Sequence, residues 1–270
     1  MENVKKALVL GLRDYVHKTG FSQVHMGLSG GIDSAVVAGL ACEALGAKNV
    51  SLIALPTRFN ADESLTLART LAKNYGANFI EMPVEESFKS LVSTYENSVG
   101  PREFSLIHEN MQARIRGLLL MAFANDKNSM LLTTGNKSEY ATGYTTLYGD
   151  MCGGLAVIGD LLKGEVYAMA HCLNSAGEKI PPRIIDRPPS AELRQGQKDS
   201  DSLPAYDVLD NAVSKLVSSK KEATGETEEW VLQRLMLSEF KRWQAPPVLK
   251  VSSHGFGQGR RMPIAHKAWY

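Results

Sequence analysis

The sequence predicts an α/β protein, a doubly wound parallel sheet with helices on both faces. Short apolar runs alternate with amphipathic stretches of 10–15 residues, the spacing that parallel βαβ units require. The runs are apolar almost throughout, as strands covered by helices on both faces are. Glycine or proline closes most of these units.

Residues 4–18 place Val4, Leu8, Leu12 and Val16 on one helical face, with Gly20 as the stop. Residues 23–28 read as a buried strand, and 34–45 as a helix ended by Gly46. Residues 50–55 form a second strand before Pro56, 64–75 a helix before Gly76, and 79–82 a third strand. A long helix over 109–125 leads to a fourth strand over 130–134. From Gly135 to Gly159 six glycines suggest loops packed near a ligand. Paired prolines at 181–182 and 188–189 bracket a segment predicted not to be regular helix. Residues 195–204 read as an exposed loop, then 206–217 and 228–243 as helices. The reading is one domain over residues 1–270, its C-terminal third wrapping the sheet.

With 30 basic and 29 acidic residues the net charge is +1, which removes the broad attraction to nucleic acid or anionic membrane. The longest apolar stretch, 118–124, is far short of the ~18–20 residues that span a bilayer. Cys42, Cys152 and Cys172 are isolated, which indicates buried small hydrophobes in a cytoplasmic protein. His25, in a predicted strand, reads as a satisfied core histidine.

The sharpest chemical signal is Gly27-Leu28-Ser29-Gly30-Gly31-Ile32-Asp33-Ser34, set between a strand and a helix. Adjacent glycines let backbone N–H groups converge on an anion, and the helix start adds its unpaired amides. Asp33 in such a loop makes electrostatic sense with a cation between it and the phosphates, and Mg²⁺ takes that place well. The lysine of the Gly-x-x-x-x-Gly-Lys loop is absent.

Ser-Gly-Gly-x-Asp-Ser resembles the pyrophosphate loop of the N-type ATP pyrophosphatases. A second block extends the resemblance: Asn110-Met111-Gln112-Ala113-Arg114-Ile115-Arg116, then Thr133-Thr134-Gly135-Asn136-Lys137-Ser138-Glu139, then Tyr140 through Asp150. Together these look like NAD⁺ synthetase, over essentially the whole chain. Met151 to Ala156, Arg187 to Leu193 and Gly259 to Pro263 are most similar to the synthetase portion of glutamine-dependent members. The phosphate loop starts at residue 27, too early for a preceding glutaminase domain, so free ammonia is the expected nitrogen donor, with a separate glutaminase as a possible source.

The resemblance implies ATP-driven amidation of deamido-NAD⁺ through an acyl adenylate. It implies that Asp33 and Glu139 hold Mg²⁺, and that residues 27–34 with Thr134, Lys163 and Ser190 bind ATP. It assigns Asn110, Arg114, Glu139, Tyr144, Thr145, Thr146, Leu147, Asp150, Lys241 and Arg260 to the dinucleotide, with Asp150 near the reacting centre. Arg114 and Arg116 lie two apart on a helix and cannot share a face; Arg114 is read as the ligand contact and Arg116 as structural. Gly154 and Gln258-Gly259 stand where ammonia-dependent members favour aspartate and His-Lys. A homodimer with sites at its interface is also implied. Rival readings are a GMP- or asparagine-type synthetase, which the 135–150 block opposes, and an RNA-thiolating relative, which would bring a basic domain or paired cysteines.

Overall fold

The computed structural model describes residues 1–219, 222–257 and 264. Five parallel strands, β1 (Val24–Gly27), β2 (Val50–Ala54), β3 (Asn78–Glu81), β4 (Met130–Thr133) and β5 (Leu155–Ala156), lie in the order β3-β2-β1-β4-β5. Val24 sits opposite Val50 on one side and Met130 on the other. The chain therefore reverses its direction of travel across the sheet at β1. The crevice beyond the carboxyl end of that strand is where open α/β sheets take ligands.

Helices α1 (Glu2–Lys18), α2 (Ile32–Leu45) and α7 (Lys163–Asn174) pack against one another and join α3 (Asp62–Tyr75) in the main core, with Leu8, Leu12, Leu40, Leu71 and Met169 fully buried. On the other face α4 (Glu85–Val99) and α5 (Leu106–Lys127) enclose Ile53, Leu55, Phe88 and Ile115. A third apolar cluster joins α6 (Lys137–Thr142), α9 (Tyr206–Val213) and α10 (Glu226–Leu237) through Tyr140, Leu209, Val231 and Leu235. Later chain returns to the sheet as Val248 pairs in parallel beside Ala156. His25 is fully buried and paired on both ring nitrogens, with Ser129 Oγ at 2.6 Å and the Leu120 carbonyl at 2.9 Å.

Several predicted segments are corrected. Helix α4 occupies residues for which no element is predicted, although Phe88, Leu91, Val92, Tyr95 and Val99 recur at helical spacing; of its residues only Phe88 is buried. The glycine-rich stretch contains α6 and the two-residue β5, and α7 follows at once. The segment predicted not to be helical holds α8 (Pro182–Asp186), because Pro182 stands in the first turn, where its missing N–H has no helical partner to lose. The loop over 195–204 is not wholly exposed: a 3₁₀ turn at Asp199–Asp201 buries Asp199, and Leu203 is buried too. The last predicted helix breaks at Ser238 into α10 and α11 (Glu239–Arg242), where Ser238 Oγ bonds back to the Arg234 carbonyl. After Val213, residues Ser214–Ser218 widen into a π turn. The three cysteines are free and half-buried, with Cys42 and Cys172 packed against the main core.

Candidate active site

The phosphate loop joins β1 to α2. Gly30 has φ +79°, and a Cβ there would stand 2.3 Å from the Ser64 carbonyl oxygen, so glycine lets the loop lie against the start of α3. Ser34 Oγ donates to the Gly31 carbonyl at 3.0 Å and accepts from the Ser29 amide at 3.3 Å. Helix α2 starts without a side-chain cap, so its first-turn amides remain available to an anion.

Asp33, in the first turn of α2, meets the start of α6 across the sheet. Its Oδ1 accepts from Asn136 Nδ2 at 2.9 Å and its Oδ2 from Lys163 Nζ at 2.5 Å. Asn136 caps α6 by accepting from the Glu139 amide, while Glu139 Oε2 accepts from the Asn136 amide, both at 3.0 Å. Among the described residues no hydrogen bond reaches Glu139 Oε1. The surrounding protein, then the negative charge of Asp33, hold the Glu139 carboxyl well above the usual carboxylate range. Lys163 is 1% exposed. Burial alone would lower its pKa, but Asp33, Glu139 and Asp199 together raise it, so it stays charged. Two hard oxygen donors held near each other at a phosphate loop fit Mg²⁺, which takes its remaining ligands from phosphate and water.

These groups line a cavity of about 280 Å³ with Gly27, Leu28, Ser29, Gly31, Ile32 and Ser34. Thr134, Glu139, Tyr144, Thr145, Asp150, Lys163 and Ser190 also line it. Its hydroxyl donors include Tyr144 Oη, which faces Asp199, and Thr145 Oγ1, both buried and without a closed hydrogen bond among the described residues. Asp150 is open to solvent through the cavity, yet protein surrounds it, and desolvation pushes its pKa up to about 6. Thr146 and Lys241 pull in the opposite direction.

Asn110, Arg114, Thr146, Leu147 and Lys241 are not on the cavity wall; they brace the loop that is. Thr146 Oγ1 donates to Asn110 Oδ1 at 2.8 Å, and the Thr146 amide to Asp150 Oδ1 at 2.8 Å. Arg114 Nε donates to the Leu147 carbonyl at 3.2 Å, and Lys241 Nζ to the carbonyls of Gly143 and Thr145 at 2.8 and 2.6 Å. Arg260 lies outside the described residues.

The cavity also holds residues that sequence reasoning did not place there, and it reverses the two arginines of α5: Arg116, read as structural, is on the wall and Arg114 is not. Arg116 lines it, donating to the Leu55 carbonyl at 3.0 Å and Asn60 Oδ1 at 3.3 Å, and burial lowers its pKa to about 10. Asp199 lines it from the 3₁₀ turn, accepting from Tyr206 Oη at 2.8 Å, and burial raises its pKa. Glu192 holds the Ser190 loop near the phosphate loop from a left-handed backbone, φ +49°, by accepting from Ser64 Oγ, Asn60 Nδ2 and Arg187. The Arg187-to-Leu193 motif was the available signal for that clamp; nothing in the sequence marks Asp199.

A family model described as NAD synthase matches residues 4–245. The chain belongs to the NAD synthase family. Within the family it is 49% identical over 276 aligned residues to a glutamine-dependent NAD(+) synthetase of Synechocystis, which covers 98% of this chain and 49% of the relative. The Thermotoga maritima glutamine-dependent NAD(+) synthetase is 44% identical, covering 98% and 48%. The chain thus spans about half the length of the curated relatives it matches. Among solved NAD synthases, the Acinetobacter baumannii glutamine-dependent enzyme, in complex with ADP, superposes with a TM-score of 0.68 at 35% identity, covering 97% of this chain and 49% of that one. The NMN synthetase of Francisella tularensis gives 0.79 at 26% identity, covering 89% and 95%. The NH3-dependent NAD synthetase of Campylobacter jejuni gives 0.69 at 26%, also covering 89% and 95%.

Proposed function

We propose that this chain amidates deamido-NAD⁺ with ATP, releasing AMP and pyrophosphate. The observation that carries the reading is the Asp33–Asn136–Glu139–Lys163 cluster at the phosphate loop of an NAD synthase fold. The uncapped first-turn amides of Ile32, Asp33 and Ser34 and the Lys163 ammonium receive the triphosphate. The nicotinate carboxylate attacks the α-phosphorus, and the same donors stabilise the departing pyrophosphate. Asp33 and Glu139 would hold Mg²⁺, which supplies charge neutralisation to the phosphate oxygens. The hydroxyls of Tyr144 and Thr145 orient the dinucleotide, and Asn110, Arg114 and Lys241 fix their loop.

Ammonia then attacks the acyl carbon and AMP leaves. Asp150, a stronger base than an ordinary carboxylate, takes the proton as ammonium becomes ammonia. Ammonia is the proposed donor at this site itself, where the one cavity-lining thiol among the described residues, Cys152, is held toward the protonated form by burial and so is no nucleophile in the reaction. Free thiols also suit a cytoplasmic setting. A separate glutaminase is a further source of ammonia, and a homodimer is the proposed working form.

The test is incubation with ATP, Mg²⁺ and deamido-NAD⁺, with ammonium chloride or glutamine as donor. NAD⁺ and AMP in equal amounts with ammonium alone is the expected result; EDTA abolishes it. The likeness to an NMN synthetase favours a second reading, amidation of the mononucleotide. A higher kcat/KM with nicotinate mononucleotide than with deamido-NAD⁺ would replace the first reading by the second.

A further inference from the structure

We infer that the buried Lys137–Asp160 pair is a positioning device, a socket through which residues 251–254 fix the helix that carries Glu139. The inference rests on the reading of Asp33 and Glu139 as the cation-holding carboxylates. Lys137 is the first residue of α6, and its side chain is 2% exposed against 0% for Asp160. Lys137 Nζ donates to Asp160 Oδ1, Ser252 Oγ and the His254 carbonyl, each at 2.9 Å, which uses all three of its protons. Asp160 Oδ2 accepts from the amides of Val251 and Ser252 at 2.8 and 2.6 Å, and Oδ1 from Ser252 Oγ at 2.8 Å. A Cβ on Gly255 would stand 3.1 Å from the Asp160 carboxylate, so glycine lets the segment close over the pair.

Apart from their mutual bond, the charged groups of both residues are satisfied by residues 251–254. With that segment away, two buried charges keep one contact between them, and a buried ion pair without its further hydrogen bonds is strongly disfavoured. The strain falls on α6, which has six residues and little stability of its own. Asn136, next to Lys137, is the residue that bonds Asp33 and caps Glu139. Neither Lys137 nor Asp160 lines the cavity, so both act on the site through α6. Docking of 251–254 and cation binding by Asp33 and Glu139 are thereby coupled, and the coupling is reciprocal.

The experiment uses the full chain, Ser252→Ala, Ser252→Thr as the conservative rescue, and the uncharged Lys137→Met/Asp160→Leu double variant in case one alteration misfolds. Hydrogen exchange reads the amides of Val251 and Ser252; electron paramagnetic resonance reads Mn²⁺ binding with α,β-methylene-ATP. In Ser252→Ala and the double variant both amides lose protection and the Mn²⁺ Kd rises by about fivefold or more, while β1 and α2 keep their protection. Ser252→Thr restores both readouts, and in the wild type Mn²⁺ with the nucleotide slows exchange at the same two amides. Lost protection with unchanged Mn²⁺ affinity overturns the inference and leaves the proposed function standing. A wild type that binds no Mn²⁺ with the nucleotide overturns the proposed function and the inference with it.

Discussion

Asp150 holds its proton more tightly in the folded chain than an ordinary aspartate, with a pKa of about 6 against 3.8. As pH rises between those values the unfolded chain releases the proton first, so Asp150 favours folding at low pH and that contribution is lost by about pH 6. A base role makes the rate climb over the same window. Asp150→Asn should lower kcat by about 10²–10⁴-fold, erase the acid limb near pH 6, and leave the protein no less stable at pH 7.5. A pH–rate profile with thermal melts at each pH checks this. Asp33→Ala should abolish pyrophosphate release and cost about 1–3 kcal/mol of stability, because Lys163 loses its 2.5 Å partner; denaturant melts and a phosphate assay measure the two effects. The sequence already marked Asp33, since a carboxylate in a phosphate loop needs an electrostatic explanation, and the family resemblance added Glu139. It did not mark Asp199, whose burial depends on a 3₁₀ turn folding beneath Tyr206. Nor did it bring Arg116 to the cavity. Spacing separates Arg114 and Arg116 onto different faces of α5, but which face meets the cavity is decided by packing.

At the scale of elements, Gly117 is where α5 meets the Asp150 loop. A Cβ there would lie 2.8 Å from the Tyr148 carbonyl and 3.0 Å from both the Gly149 carbonyl and Cys152 Sγ. In an open helix Gly→Ala adds about 1 kcal/mol; here backbone stands in the way and the sign reverses. Gly117→Ala should lower the melting temperature and reduce kcat by displacing the 148–152 loop, with the ATP KM less affected. Gly143→Ala should be worse for folding, because φ is +68° and the new Cβ would sit 2.4 Å from that of Ser238, separating α6 from α10. Melts of the two variants, ranked against wild type, test both statements. Strands β1, β2 and β4 were legible because helices cover both their faces and their residues are nearly all apolar. Helix α7 carries a readable period, Val166, Met169, Ala170 and Leu173 at helical spacing, but its start does not, since Lys163 is a charged residue buried by partners from distant chain. Strand β5 is two residues long, and so short a strand has no period to read.

At the scale of the whole molecule, Leu118 is 66% exposed and Met121 41%, three residues apart on one side of α5. For the proposed homodimer, an interface laid over this pair predicts an association that a charge would break. Leu118→Arg should shift sedimentation from dimer to monomer without lowering the melting temperature of the monomer; a wild type sedimenting as a monomer would remove the dimer. The switch in strand order at β1 has a further consequence, for the order in which the protein assembles. Strands β1, β2 and β3 and the phosphate loop come from one continuous stretch ending at Glu81, whereas β4 must find β1 from across 100-odd residues of chain. The Asn136–Asp33 bond alone closes 103 residues. Contacts between distant residues form late, after the entropy of closing the loop has been overcome. A chain emerging from the ribosome therefore owns a phosphate cradle well before it owns the pair of acids that makes the cradle chemically active.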